Sequence, residues 1–248
     1  EPSPWFGGVL QDFEALAAWH HILGNHGRGL LSELPLGAPE SAVAARKRLD
    51  EGSIGKAVLF KSTSRDPHRT SLEYADPNSS GGLILDLGIH DFDLARFFMG
   101  EVKTVSAIGG ALAYPELASV GDIDNAVVTL AFVDGSLGVV DLSRNAVYGY
   151  DVSTELLGDK GTLRIGYLRE TPLYLMTKNS VAHDTVPHFG ERFKDAYTAQ
   201  LRDFARNVLR GMDPLVTIDD GVFALRIAIA ATRALETRGP VEVASVIA

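Results

Sequence analysis

The chain has 248 residues, 46% of them hydrophobic and 22% charged, which is typical of folded globular proteins and not of extended disorder. Its net charge of −9 argues against a nucleic-acid partner, which needs a concentrated basic surface, and the absence of cysteine excludes disulfides, thiolate metal sites and cysteine nucleophiles. No apolar run reaches the ~20 residues of a membrane span and no signal-peptide pattern opens the chain, so we expect a soluble, cytoplasmic protein with no membrane partner.

The predicted elements run from an irregular N-terminal part through a series of strands to a helical end. Apolar residues at helical spacing predict helices that stop near glycines, and alternating apolar and polar residues predict strands. Short turns at Asp134-Gly135 and Asp159-Lys160-Gly161 predict two hairpins. The predicted helices are 41–51, 83–99, 189–210 and 219–237, the predicted strands are 57–64, 102–112, 126–133, 137–142, 152–157, 162–165 and 173–177, and residues 65–82 are predicted as a polar loop.

This order of elements indicates the α+β class. Consecutive strands joined by hairpins, with helices before and after them, lack the strict strand–helix alternation of a doubly wound sheet. Because hairpins pair strands antiparallel, the sheet should be mostly antiparallel. The sequence therefore predicts a large, mostly antiparallel, open β-sheet with helices on one face over residues 41–248, preceded by a reduced N-terminal segment at residues 1–40.

One pair of residues in the second predicted helix has the chemistry of a proton relay. Asp86 and His90 stand four residues apart, which places them about 40° apart on one helix face. A carboxylate at this distance fixes the tautomer of an imidazole and raises its basicity. The same spacing also suits a local hydrogen bond with no catalytic role, so the residues alone leave both interpretations open.

Two further histidines lie in a proline-containing loop before the first C-terminal helix. His183 and His188 are five residues apart, and such a pair can bind a metal ion. No carboxylate stands at a convincing third position, so no metal site is predicted. Hydrolase chemistry is also not supported, because the sequence has neither a Gly-x-Ser-x-Gly elbow nor a cysteine.

Several separated motifs resemble one enzyme family. Residues 81–95, with the sequence Gly-Gly-Leu-Ile-Leu-Asp-Leu-Gly-Ile-His-Asp-Phe-Asp-Leu-Ala, resemble the Gfo/Idh/MocA family of NAD(P)-dependent oxidoreductases of sugars and cyclitols. The resemblance covers roughly residues 41–248. The run Arg144 to Asp151 is most similar to the inositol 2-dehydrogenase branch. Further matches, in the same order as in the family, lie at residues 124–128, 143–144, 148–151, 158–161, 192–197 and 219–221.

The resemblance implies a domain arrangement and a cofactor. Family members carry a Rossmann domain ahead of this region, and a domain of roughly 100–150 residues does not fit into residues 1–40. The segment also lacks a Gly-x-Gly-x-x-Gly turn, and Leu34 stands where the family has its catalytic lysine. We therefore expect residues 1–40 to be a remnant of the nucleotide-binding domain and residues 41–248 to be the substrate-binding and oligomerisation domain. This chain alone is predicted to bind no NAD(P), which a cofactor domain in trans would have to supply.

The resemblance also assigns roles to site residues. It implies that His90 takes the substrate hydroxyl proton and that Asp86 binds and orients the substrate. Alternatives stay open for four of the other residues: a loop salt bridge for Arg65, a helix-surface carboxylate for Asp93, and packing for Tyr148 and Tyr150. The further residues predicted to bind substrate are Arg65, Asp93, Tyr148, Tyr150, Asp151, His183 and His188.

Three functional hypotheses follow. The first is a Gfo/Idh/MocA-like protein that acts on a sugar, a cyclitol or a related hydroxyl- or carbonyl-bearing ligand. The second is a non-redox enzyme, such as an isomerase, dehydratase or cyclase, in which Asp86 and His90 transfer a proton. The third is a non-catalytic binding or scaffold oligomer. The resemblance implies a homodimer or homotetramer that assembles through the outer face of the sheet.

Overall fold

The computed structural model describes most of the chain after residue 41. The predicted N-terminal remnant at residues 1–40, including Leu34, lies outside the described residues. The predicted helix 189–210 is described only in part. The described residues are 42–166, 169, 171–193, 198, 202, 205–207, 209–212 and 217–246.

The elements follow the predicted order closely and add several short ones. The helices are α1 (Ala42–Asp50), α2 (Leu72–Ala75), α3 (Pro77–Ser80), α4 (Gly82–Asp86), α5 (Ile89–Met99), α6 (Phe189–Arg192) and α7 (Ile218–Thr237). The strands are β1 (Ala57–Arg65), β2 (Val102–Gly110), β3 (Asn125–Phe132), β4 (Leu137–Ser143), β5 (Asp151–Gly158), β6 (Thr162–Gly166), β7 (Tyr174–Met176), β8 (Val181–His183) and β9 (Val241–Glu242). Two short 3₁₀ helices span Pro115–Val120 and Val243–Ser245.

Seven strands form one sheet in the order β6-β5-β1-β4-β3-β2-β9. Within the described residues, β1 and β4 run parallel, and the other neighbouring strands of this sheet run antiparallel. Strands β7 and β8 form a separate hairpin. The prediction of a large, mostly antiparallel, open sheet is confirmed.

The core lies between one face of this sheet and the helices. Alternate residues of the central strands, such as Phe60, Val128 and Leu142, are fully buried, as the two-residue period of a strand requires. Helices α5 and α7 pack over that face. The opposite face leaves large apolar side chains exposed, with Leu137 at 57% and Ile108 at 72%. The predicted oligomer through this face stays a prediction.

The structure corrects two predicted elements close to each other in the chain. The predicted helix 83–99 is divided into α4 and α5, with a junction at Leu87 and Gly88. A Cβ on Gly88 would lie 2.5 Å from the Ile84 carbonyl oxygen and 2.9 Å from Leu142, so only glycine permits this close approach to the sheet. The predicted loop 65–82 contains α2 and α3, which begin at side-chain caps from Ser71 and Asp76.

A buried carboxylate ties α5 to β1 directly beside His90. Asp91 is 1% exposed, and its Oδ1 accepts hydrogen bonds from the hydroxyls of Ser62 and Ser64. Its Oδ2 is buried with no hydrogen-bond partner among the described residues. Burial, the largest effect, raises the pKa of Asp91 to about 6, against the opposing hydrogen bonds of the two serines.

Replacing Asp91 with asparagine should change how stability depends on pH. Between about pH 4 and pH 6 the unfolded wild-type chain ionises at Asp91 while the folded chain keeps the proton, so the free energy of unfolding falls as pH rises. The total loss attributable to Asp91 is at most about 3 kcal/mol. Urea denaturation across this range should show the Asp91→Asn variant gaining stability relative to wild type as pH rises.

The matched control for this series is Glu236→Gln, which removes an exposed carboxylate from α7. We expect the control to keep the wild-type pH dependence. An Asp91→Asn variant whose stability difference from wild type is the same at about pH 4 and about pH 7 would contradict the raised pKa.

Candidate functional site

A cavity of about 560 Å³ opens beside the junction between α4 and α5. Its volume lies within the range of small-molecule sites. Charged and aromatic side chains converge on it from the loop after β1, from α2, from the α4–α5 junction and from the segment that follows β4. The lining residues used below are Asp66, His68, Tyr74, Asp86, His90, Arg144, Tyr150, His188 and Phe193.

Asp86 and His90 both line this cavity. Asp86 is the last residue of α4 and His90 is the second residue of α5, so they do not share the single continuous helix that the sequence predicted. The close approach of Gly88 to the sheet keeps the two helix ends next to each other at the cavity wall. The structure therefore brings the two side chains to one site, while their catalytic roles stay a prediction.

Both oxygens of the Asp86 carboxylate are hydrogen-bonded. The Tyr74 hydroxyl donates to Oδ1 at 2.8 Å, and Arg144 Nη2 donates to Oδ2 at 3.0 Å. Burial raises the pKa of Asp86 above its usual range, and the contacts with Tyr74 and Arg144 oppose that increase. Burial and the Asp86 charge raise the pKa of the Tyr74 hydroxyl to about 12, so the tyrosine remains a donor at neutral pH.

Arg144 is held from its other side by a second carboxylate. Its side chain is 1% exposed, and Nη1 donates to Asp122 Oδ2 at 2.7 Å. Asp122 is also buried, and its Oδ1 accepts the backbone N–H of Leu83 at 2.9 Å, in the first turn of α4. The buried guanidinium thus bridges two carboxylates. The ionised forms of these three side chains sum to a charge of −1.

Asp66 adds another carboxylate to the cavity wall. Burial and the nearby Asp86 charge raise the pKa of Asp66 to about 6. Its backbone is fixed to the segment after β4, because its N–H donates to the Ser143 carbonyl at 2.9 Å and its carbonyl accepts from Ala146 at 2.9 Å. Two carboxylates that face one cavity can each accept hydrogen bonds from ligand hydroxyls.

The remaining predicted site residues lie in four different places. Tyr150 and His188 line the cavity, and Tyr150 packs edge-on against Phe193 with ring centroids 5.9 Å apart. His188 packs on Phe189 and faces the ring of His68 at 6.5 Å. These contacts add aromatic rings to the cavity lining.

Arg65, Tyr148 and Asp151 form a hydrogen-bonded cluster outside the cavity lining. Arg65 pairs with Asp141 of β4 and donates to the Tyr148 hydroxyl at 2.9 Å, which in turn donates to Asp151 at 2.9 Å. The paired strands β1 and β4 bring Arg65 and Asp141 together. The assignment of this cluster to substrate binding stays a prediction.

Asp93 and His183 also lie away from the cavity lining. Asp93 is 2% exposed on α5, so it is not the surface carboxylate that the alternative interpretation proposed. His183 is exposed on β8, where its ring packs edge-on against Tyr174 and its Nδ1 lies 2.5 Å from the Asp184 carbonyl oxygen. Their assignment to substrate binding likewise stays a prediction.

Tyr74, His68 and Arg144 are among the cavity residues that received no role from the sequence. Tyr74 and His68 fell in the predicted polar loop, where nothing in the pattern marks them. Arg144 belongs to a quoted motif, but its burial between two carboxylates depends on residues far along the chain. The signal that would have helped is an arginine at the end of a predicted buried strand, since a buried guanidinium requires anionic partners.

Three further features are absent from the residues that the structure describes. These residues contain no group of three His, Asp or Glu side chains arranged to hold a metal ion. No described strand leads through a Gly-x-Gly-x-x-Gly turn into an α-helix. None of the helices described is long and apolar enough to cross a membrane.

Comparison with known proteins places this chain in a family. Residues 46–243 match the family model described as the oxidoreductase family, C-terminal alpha/beta domain. The chain is 41% identical over 204 residues to the myo-inositol 2-dehydrogenase of Thermotoga maritima, covering 82% of this chain and 60% of that protein. It is 36% identical over 199 residues to the scyllo-inositol 2-dehydrogenase (NAD(+)) of Bacillus subtilis, covering 80% and 58%.

Solved structures show the same likeness. The scyllo-inositol dehydrogenase of Lactobacillus casei, with bound cofactor NAD(H) and scyllo-inositol, has a TM-score of 0.80 at 30% identity over 94% of this chain and 70% of that one. A probable dehydrogenase from Thermotoga maritima has a TM-score of 0.78 at 40% identity over 83% and 62%. The chain spans about 60% of the length of the curated relatives it matches. With the fold, the sequence motifs and the family model in agreement, the chain belongs to the Gfo/Idh/MocA oxidoreductase family.

Proposed function

We propose that residues 42–246 form the substrate-binding part of a cyclitol dehydrogenase site, in which His90 accepts the hydroxyl proton and Asp86 orients the substrate. The observation that carries this proposal is the convergence of Asp86, His90 and Asp66 on one cavity of small-molecule size. The relatives that are named as inositol dehydrogenases support the choice of substrate class.

The chemistry of the cavity suits a polyhydroxylated ring. Each ring hydroxyl can donate to a carboxylate, and Asp66 and Asp86 supply such acceptors on one wall. The C–H surfaces of a cyclitol ring need an apolar contact, which Tyr150 and Phe193 provide. The two arginines among the described lining residues are already paired with carboxylates, Arg69 with Glu116 and Arg144 with Asp86 and Asp122, which favours a neutral polyol over a phosphorylated one.

Oxidation of a secondary alcohol removes a proton from oxygen and a hydride from carbon. In this proposal a neutral His90 imidazole takes the proton, and Asp86 fixes the hydroxyl that reacts. NAD(P)⁺ would accept the hydride. The described residues contain no Gly-x-Gly-x-x-Gly turn between a strand and a helix, so in this proposal NAD(P)⁺ binds to residues outside the described part or to a cofactor domain supplied in trans.

A second candidate function is proton transfer without redox chemistry, by an isomerase, dehydratase or cyclase. The observation that favours it is that proton transfer needs only the cavity side chains, and both Asp86 and His90 are in place. The third candidate, a binding or scaffold oligomer, rests on the exposed apolar side chains of the open sheet face.

Replacing His90 with alanine tests these candidates. Purified chain, alone and mixed with a cofactor-binding domain supplied in trans, is incubated with NAD(P)⁺ and a panel of polyols that includes myo- and scyllo-inositol, and absorbance at about 340 nm reports oxidation. We expect cyclitol oxidation to fall at least about 100-fold in His90→Ala, since general base catalysis contributes at least that much. Lys178→Ala, in the exposed turn between β7 and β8, is the matched control and should behave as wild type.

Other outcomes favour the other candidates. Ligand turnover that needs no nicotinamide and is lost in His90→Ala would favour the proton-transfer enzyme over the dehydrogenase. A tight oligomer that neither binds nor converts any polyol would favour the third candidate, the scaffold oligomer.

A further inference from the structure

We propose that Arg144 is a positioning residue of this site, whose buried guanidinium fixes the Asp86 carboxylate in the orientation that receives the substrate. This inference rests on the proposed function. It assigns a role to a side chain that the proposed chemistry does not itself use.

Arg144 is held both through its side chain and through its backbone. The side chain is 1% exposed and is anchored by Asp122, which is itself anchored by the Leu83 amide. The Arg144 backbone N–H donates to the Asp124 carbonyl at 2.8 Å. These contacts hold the guanidinium in the orientation in which Nη2 donates to Asp86 Oδ2 at 3.0 Å.

The Tyr74 hydroxyl holds the opposite oxygen of Asp86. A carboxylate held by a donor on each oxygen cannot rotate about its Cβ–Cγ bond without breaking one of the two hydrogen bonds. Asp86 is only partly exposed, at 26%, so water replaces a lost donor poorly. The two contacts together present the remaining lone pairs of Asp86 in a fixed direction.

Charge gives Arg144 a second effect on Asp86. The ionisable groups that surround Asp86 are Tyr74 from α2, Arg144 and Asp122 from the opposite side, Asp66 from the loop after β1, and His90 from α5. The Arg144 charge opposes both burial and the nearby carboxylates, and so stabilises the ionised form of Asp86. Removing it would drive Asp86 toward the protonated form.

Orientation and charge can be separated by two substitutions. Arg144→Lys keeps the charge but loses the planar fork that reaches Asp86 and Asp122 at the same time. Arg144→Gln removes the charge as well. If Arg144 had only a structural role, both variants would lower stability. They would then not differ in their effects on the pKa of Asp86 and on the affinity for myo-inositol.

The test measures the 248-residue chain by ¹³C NMR of aspartate carboxyl groups and by calorimetric titration with myo-inositol. Arg144→Lys should leave the pKa of Asp86 near its wild-type value while raising the dissociation constant about tenfold. Arg144→Gln should raise the pKa of Asp86 by about 1 or more. Arg46→Lys, which removes an arginine that bonds the Phe97 carbonyl away from the cavity, should change neither measurement.

Two results would overturn the proposal. One is an Arg144→Lys variant that binds myo-inositol as tightly as wild type. This result overturns the proposal by itself, even if Arg144→Gln does not fold. The other is a folded Arg144→Gln variant whose Asp86 pKa is unchanged. If wild type binds no cyclitol at all, the proposed function fails, and the Asp86 titration still decides whether Arg144 controls that carboxylate.

Discussion

Replacing Asp122 with alanine should lower the free energy of unfolding by about 3 kcal/mol, because it removes one partner of a buried ion pair. Asp122 accepts from Arg144 at 2.7 Å and from the Leu83 amide at 2.9 Å. The variant leaves the Arg144 guanidinium with Asp86 as its remaining carboxylate and leaves a buried amide at the start of α4 without an acceptor. Urea denaturation followed by circular dichroism measures the loss.

Glu101→Ala is the matched control for this prediction. Glu101 also pairs with an arginine, Arg96, at 2.7 Å, but its side chain is 57% exposed. Exposed ion pairs contribute less than about 1 kcal/mol, so the control should stay close to wild type. An Asp122→Ala variant no less stable than Glu101→Ala would show that the buried network adds nothing to stability.

Replacing Asp86 with asparagine should weaken binding of myo-inositol by about 10–100-fold, because a charged acceptor in a half-buried site becomes a neutral one. The volume of the side chain is nearly unchanged, so the cavity keeps its shape. Calorimetric titration gives the dissociation constant. Because the pKa of Asp86 is raised, wild-type affinity should also fall as pH decreases through that pKa, and the variant should lose this dependence.

The control for the binding series is Glu73→Gln, an exposed carboxylate next to Tyr74 on α2. It should bind myo-inositol as wild type does. If Asp86→Asn binds as tightly as the control, Asp86 does not contact the ligand and the proposed site is wrong.

Most of the fold could be predicted from local sequence patterns. The alternation along β3 and β4 and the turn at Asp134-Gly135 are visible in the sequence because strand period and turn chemistry act over a few residues. Strand β9 was missed because its two residues become a strand only by pairing with β2, more than 130 positions earlier. The break before α5 was missed because it follows from packing of Gly88 against Leu142.

For the candidate site, too, the sequence could predict only contacts between residues that are close along the chain. Asp86 and His90 are four residues apart, so the sequence predicted them close together, although the helix assigned to both is divided at Leu87 and Gly88. Arg144 lies 58 positions from Asp86, and only the sheet topology joins them. Arg65 and Ser64 show the limit most directly, since adjacent residues of a strand point to opposite faces: Ser64 reaches Asp91 under α5, whereas Arg65 reaches Asp141. The sequence alone does not show on which face of β1 the cavity lies.

A crystal structure of the chain soaked with scyllo- or myo-inositol tests the central claim most directly. The account predicts a cyclitol ring in the cavity beside the α4–α5 junction, with one hydroxyl within hydrogen-bond distance of both Asp86 and His90. A ring bound elsewhere, or an empty cavity at saturating cyclitol, would contradict it.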